Sequence, residues 1–233
     1  MKVAFQKTGK LELPECHLSV DGGSMTLSPT PRSTVRRGKA RAVADRAVLH
    51  EILDAGLVCH LAVVVDGAPV VLPTGYGRDG DVLYLHGSTG ARTMREASAG
   101  APVCVAVTHV DGVVYARSSF HHSMNYRAAV VHGVAVPAAD PEHALRVITE
   151  HLAPGSWDHA RRPTPRELAA TAVLELDLAE ASVKVRTGPP GDDEADVEAN
   201  AAWAGVLPLR TTWGEPLSAS DLAVPPHVLS RAR

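Results

Sequence analysis

Leu57-Val58-Cys59-His60-Leu61-Ala62-Val63-Val64-Val65-Asp66-Gly67-Ala68-Pro69-Val70-Val71-Leu72-Pro73-Thr74-Gly75-Tyr76-Gly77-Arg78-Asp79-Gly80-Asp81-Val82-Leu83-Tyr84-Leu85-His86 holds three apolar runs divided by two Asp-Gly pairs. An Asp-Gly pair between apolar runs signals a hairpin, because both residues tolerate the positive φ of a two-residue turn. The stretch predicts three consecutive antiparallel strands over 57–65, 69–76 and 82–86. A proline inside a strand removes a ladder donor, so Pro73 belongs at a sheet edge or a bulge.

Working outward, the same pattern continues. Residues 103–109 and 113–118 read as strands around a turn at Asp111-Gly112, and 125–136 as a long strand after them. Residues 171–178 and 182–187 add two more. A helix is expected over 45–55, capped by Asp45, ended by Gly56, with Val48, Leu49, Ile52 and Leu53 on one face. Gly87-Ser88-Thr89-Gly90 leads into a short helix over 91–99. Asp140-Pro141 opens a helix to about 151, and Thr164-Pro165-Arg166-Glu167 is a capping box. Six to eight short strands joined by tight turns predict a mainly β fold with flanking helices, built as an antiparallel barrel. No Gly-x-Gly-x-x-Gly opens a helix after a strand, which disfavours a dinucleotide-binding parallel sheet.

The chain has 233 residues, 45% of them apolar, enough for one sizeable core. Residues 1–38 are rich in Gly, Ser, Thr and Pro and read as a flexible extension and arm, with 1–24 upstream of a natural start at Met25. Residues 39–215 are the folded domain, and 216–233 a Pro-rich tail that wraps a surface. Residues 1–46 carry nine Lys/Arg against four Asp/Glu, although the whole chain is at −3. That cationic arm raises nucleic-acid binding as a reading, but aromatics at 4% leave few platforms for base stacking. Nucleic acid is therefore not the expected partner. No run approaches the roughly 18 apolar residues of a membrane helix. Cys16, Cys59 and Cys104 are too far apart for a disulfide framework or paired zinc ligands, so the expected setting is a reducing cytoplasm and the expected metal content is none.

Four segments carry polar groups that a barrel does not need. Around Leu72, Pro73 and Thr74, freed backbone groups and a hydroxyl suit a planar ligand. In His86-Gly87-Ser88-Thr89-Gly90-Ala91-Arg92, a small-residue loop enters a helix, and Arg92 suits a phosphate. Arg117-Ser118-Ser119-Phe120-His121-His122-Ser123-Met124-Asn125-Tyr126-Arg127 is dense in hydrogen-bonding groups. Lys184 and Arg186 share a strand face, and Trp203 either covers an aromatic ligand or fills a barrel end.

Phe120-His121-His122-Ser123-Met124-Asn125-Tyr126-Arg127, the 69–74 strand, Leu85-His86-Gly87-Ser88 and Trp203-Ala204-Gly205-Val206-Leu207-Pro208, in that spacing, resemble flavin-binding proteins related to pyridoxamine 5′-phosphate oxidase. The nitroimidazole reductase-like branch is the most similar. The resemblance implies an FMN-binding split β-barrel homodimer with two FMN sites at the subunit interface. It implies that Leu72, Pro73 and Thr74 flank the flavin ring and that His86, Gly87 and Ser88 run beside it. Arg92 would hold the phosphate, with Ser123, Asn125, Tyr126 and Arg127 around it or on the substrate side, and Lys184 and Trp203 near the ring, from the same chain or from the partner. Related sequences commonly have Ser where this chain has Ala128, a missing hydrogen bond of about 0.5–1.5 kcal/mol. The expected function is an FMN-dependent oxidoreductase that takes hydride from NAD(P)H and reduces a small molecule such as a nitroaromatic or quinone. His86 and His122 are its candidate proton donors. The alternative is a non-catalytic flavin- or haem-binding store or sensor, with His121 or His122 as the axial ligand.

Overall fold

A computed structural model describes residues 26, 27 and 29–232. In chain order the elements are β1 (Ala42–Val43), α1 (Arg46–Ala55), β2 (Val58–Val65), β3 (Ala68–Asp79), β4 (Val82–Ser88), α2 (Arg92–Ser98), β5 (Pro102–Tyr115), β6 (Ser123–Val134) and β7 (Val136–Pro137). There follow α3 (Pro141–Leu152), α4 (Ser156–His159), α5 (Pro165–Ala169), β8 (Thr171–Asp177), β9 (Ala181–Arg186), α6 (Glu194–Ala199), β10 (Gly205–Pro208) and α7 (Pro226–Arg231). The strands are antiparallel throughout, ordered β1-β9-β6-β5-β2-β3-β4-β8-β7, with β10 on the free side of β5.

Strand alternation makes the core. Leu61 and Val63 of β2, Leu83 and Leu85 of β4, Val103, Val105 and Val107 of β5, and Leu174 and Leu176 of β8 all point inward. Leu49, Ile52 and Leu53 of α1 close one end, and Met94 and Ala97 of α2 belong to the same core. The Asp45 carboxylate caps α1, and Asp66 (φ 53) with Gly67 (φ 77) forms the left-handed turn that joins β2 to β3. Tyr76, fully buried, donates its hydroxyl to the Leu53 carbonyl at 2.5 Å and so ties β3 to α1.

Two expectations change. Asp111-Gly112 is not a turn: Pro102–Tyr115 is one strand, and Asp111 is an extra residue bulged between Val110 and Gly112. Its carboxylate reaches Arg127 on β6, and the missing Gly112 side chain leaves room for β10, since a Cβ there would lie 2.9 Å from the Leu207 carbonyl. The second concerns the acidic run after Gly191, whose composition reads as a solvated loop but which is structured. It contains α6, and the Asp192 side chain, 2% exposed, grips Arg117.

The expected upstream extension over 1–24 lies outside the described residues. The described part of the arm is tied down. Leu27 is buried and donates to the Ala44 carbonyl, while Thr30 and Arg32 both bond Glu180 in the β8–β9 turn. Arg32 and Thr30 hold the Glu180 carboxyl well below its ordinary 4.5, at about 2. A lowered carboxylate contributes stability above its unfolded value and loses it as pH falls through the folded one. The arm should therefore release between pH 4.5 and about 2. Pepsin cleavage near Leu27 should rise over that window, and Glu180→Gln should expose the site at its upper end. Flat cleavage across the window would remove Glu180 as the anchor.

Candidate functional site

The barrel is split between β3 and β4. β3 pairs with β2 from Ala68 to Gly75, but with β4 only from Tyr76 to Asp79. β4 meanwhile pairs with β8 along its whole length. The first half of β3 therefore has one edge without a strand. Pro69 and Pro73 have the same parity along that edge, where a missing N–H costs no ladder bond.

Register shows what the split exposes. Leu72 sits opposite Leu61 and Thr74 opposite Cys59, so both point to the same side as two buried core residues. In a closed barrel Leu72 would be core, yet it is 43% exposed because β4 has turned away. An inward-facing leucine left open beside unpaired backbone groups offers a surface on which a ligand can lie. Thr74 is half-buried, its hydroxyl held only by a 3.3 Å bond to the next carbonyl.

Across the split, Ser88 accepts from the Gly90 N–H, and the Thr89 N–H donates to the Ala170 carbonyl at 3.0 Å. Together they fix the loop into α2. Gly87 serves packing: a Cβ there would lie 2.8 Å from the Met94 side chain. Arg92 stands at the mouth, paired with Asp66 of the β2–β3 turn. Both side chains are more than half exposed, so this pair contributes little to stability. A carboxylate already engages this guanidinium. These residues fit the phosphate and ring edge of a flavin.

The other sequence candidates are not brought here. Ala106 of β5 lies level with His60 and Pro73, and Tyr115 is nine residues further along, roughly 25 Å away. At that far end Tyr115 packs against His122 (centroids 5.8 Å) and Trp203 (5.7 Å). Trp203 is 69% exposed and fills no barrel end. Asn125 is spent internally, donating to the Gly188 carbonyl and accepting from Arg186. Arg127 is held in a fork by Asp111, so it is not a free phosphate ligand within one chain. Ser123 and Tyr126 are half-buried on β6. Lys184 donates to the Arg37 carbonyl at 3.3 Å and braces the arm, four strands from β3.

The histidines also differ from expectation. His86 lies on β4 with Leu85 facing the core, so its ring faces the opposite side, under α3 and α5 and away from the split. His122 accepts the Ala116 N–H on Nδ1 at 3.0 Å, which leaves the neutral ring's proton on Nε2 and no outward lone pair for iron. His121 turns Nε2 to Asp193 at 3.3 Å. Sequence reading missed Asp111 and Asp192. Nothing local marks a carboxylate as the partner of a distant arginine.

A family model described as pyridoxamine 5′-phosphate oxidase matches residues 45–185. The chain belongs to the pyridoxamine 5′-phosphate oxidase family. Its fold is that family's split barrel. A FAD- and haem-binding protein from Mycobacterium smegmatis is 41% identical, with 82% of this chain and 97% of that one covered and a TM-score of 0.78. The flavocytochrome Anf3 from Azotobacter vinelandii is 36% identical over 88% of this chain and 98% of its own, with a TM-score of 0.81. A protein described as a 5-nitroimidazole antibiotic resistance protein from Bacteroides thetaiotaomicron shares only 22% identity, over 62% of this chain and 86% of its own, with a TM-score of 0.53. That last likeness shows the fold alone, so the nitroimidazole branch is a distant one. No curated protein matches the chain. Among the described residues, no helix is long and apolar enough to cross a membrane.

Proposed function

We propose that this protein is a flavin-binding redox protein that also binds haem, a flavocytochrome, with FAD ahead of FMN as the flavin. The observation that carries the reading is the open slot at Leu72 and Thr74 with Arg92 at its mouth. Its support for FAD and haem comes from the relatives at 41% and 36% identity, whose names state those cofactors. This places the expected haem-binding alternative ahead of an FMN nitroreductase. The flavin, when bound, supplies two-electron chemistry, and the haem one-electron chemistry. This chain's part is to hold the phosphate at Arg92, receive the ring edge on the β3 backbone and exclude water with Leu72. A reduced nicotinamide is the proposed hydride donor.

The working unit is proposed to be a homodimer. Val58, Val64, Val71, Val110, Val113 and Met124 are all exposed on the outer surface of the sheet. Such an apolar surface on a soluble domain marks an interface. A two-fold pairing would let the aromatic end around Tyr115 and Trp203 cover the slot of the other subunit, which one chain cannot do across roughly 25 Å.

The test is an absorption spectrum after desalting, with FAD, FMN and haemin each supplied beforehand. The expected result is a retained flavin band near ~450 nm and a Soret band near ~400 nm, with FAD kept better than FMN. Light scattering should give twice the chain mass. No retained flavin, or a stable loaded monomer, would overturn the reading.

A further inference from the structure

We infer that Arg117 is a positioning residue for flavin binding: by clamping α6 at both ends it fixes the exposed Trp203 indole as the platform on which the flavin ring of the other subunit rests. The inference depends on the dimeric flavin site proposed above and adds to it the residue that holds its cover in place.

α6 cannot hold itself. Its 6 residues are too few for a helix that stands alone in water, and none of them is buried, so apolar packing does not anchor it. Arg117 does. Its backbone N–H donates to Asp192 Oδ1 and its Nη1 to Asp192 Oδ2, both at 2.8 Å, just ahead of the helix. At the other end Nη2 donates to Oδ1 of Asn200, the C-cap, at 3.2 Å, and Nε donates to the same oxygen at 3.4 Å. One guanidinium therefore spans the helix. The chain leading into it is tied as well. Asn125 donates to the Gly188 carbonyl at 3.2 Å, and Arg186 to the Pro189 carbonyl at 3.3 Å. The Asp192 carboxylate is sealed from water, a desolvated charge that its arginine and a backbone N–H offset.

What the clamp carries is Trp203, three residues beyond Asn200 and 69% exposed. Its indole lies over the Gly205 backbone: a Cβ at Gly205 would stand 2.7 Å from Cζ2 and 3.1 Å from Cη2. Gly205 pairs with Tyr115, whose ring centroid is 5.7 Å from the indole. Tyr115 is braced in turn by the His122 ring, which also accepts the Ala116 N–H. The indole thus rests on a glycine backbone and a tyrosine, and shows its remaining surface to solvent. An electron-rich ring held in advance needs little further ordering when a planar, electron-poor isoalloxazine stacks on it. The polar run from Arg117 to Arg127, which reads in the sequence as ligand contacts, then serves to place the contact rather than to make it.

The experiment is a titration of the apoprotein with FAD, read by affinity, by emission of the bound flavin and by the melting midpoint. An indole stacked on a flavin quenches its fluorescence by electron transfer, a signature that a merely structural residue does not move. Bound flavin should be dim in the wild type. Trp203→Leu should brighten it and weaken binding by up to about 10-fold, the worth of one aromatic stack. Asn200→Gly keeps the left-handed backbone at φ 42 and removes only the side-chain acceptor. It should also brighten the flavin and weaken binding by about 2–5-fold, part of the same stack, at the wild-type midpoint. Arg117→Lys, which keeps a charge for Asp192 but lacks the fork that reaches Asn200, should do the same. Wild-type emission and affinity in both clamp variants, with Trp203→Leu bright, would make the clamp structural only and overturn the inference while the flavin site stands. Wild-type emission and affinity in Trp203→Leu would instead overturn the cover proposed for the slot, and this inference with it. Should Arg117→Lys fail to fold, Asn200→Gly alone decides.

Discussion

Gly77→Ala is expected to destabilise the protein by about 3 kcal/mol or more, at the upper end of what overpacking does. Gly77 lies in β3 opposite Tyr84, where α3 crosses the sheet. A Cβ there would stand 2.8 Å from the Cα and nitrogen of Ile148 and 2.9 Å from the Val147 carbonyl carbon. These are helix backbone atoms, which cannot rotate aside as a side chain would. The whole of α3 would have to lift. Ile148 and Ala144 would then lose their buried contacts, and His151 would leave the Tyr76 ring and the Gly56 carbonyl. At 2–4 °C per kcal/mol for a chain of this size, the melting midpoint should fall by roughly 6–12 °C. Gly191→Ala is the control: its Cβ would meet nothing within 4 Å, so the midpoint should stay put. Equal midpoints for Gly77→Ala and wild type would mean that α3 does not ride this closely on β3.

Gly77 also shows what a sequence can and cannot disclose. Features that depend on neighbours in sequence were legible. The left-handed pair Asp66-Gly67, the Asp45 and Asp140 caps and the Thr164–Glu167 capping box all stand where local chemistry demands. Features that depend on what passes overhead were not. Asp111-Gly112 is the same dipeptide as Asp66-Gly67, but its glycine admits a crossing strand and its aspartate holds an arginine. The divergence of β3 from β4, which makes the slot, had only the parity of two prolines to announce it. For the candidate site, polar density around Asn125 and Arg127 correctly demanded partners. It did not say whether those partners were a ligand or, as here, Gly188, Arg186 and Asp111. Likewise the run containing His86 was legible as chemistry-bearing, while the side its ring faces depends on strand register, which is set by tertiary pairing.

Arg92→Ala is expected to weaken flavin binding by about 10–100-fold, the size of a lost charge-assisted hydrogen bond of roughly 1.5–3 kcal/mol. Arg92 is the cation at the mouth of the split, and the guanidinium fork suits two phosphate oxygens at once. Arg92→Lys should fall between the two, because an ammonium keeps the charge and loses the fork. In the structure Asp66 occupies this guanidinium, so the phosphate must displace a carboxylate. Asp66→Asn removes that competitor while leaving the turn intact, since asparagine is well suited to the φ of 53 at this position. Binding should tighten, but by no more than about fivefold, because an exposed pair is worth up to about 1 kcal/mol. The two variants thus move affinity in opposite directions from one contact. Fluorescence titration of the apoprotein with FAD and FMN, at low and high salt, reads both. The Asp66→Asn gain should shrink as salt screens the competing charge. Should Arg92→Ala bind flavin as wild type does, the phosphate lies elsewhere. Should Asp66→Asn weaken it, Asp66 orients Arg92 for the phosphate rather than competing with it.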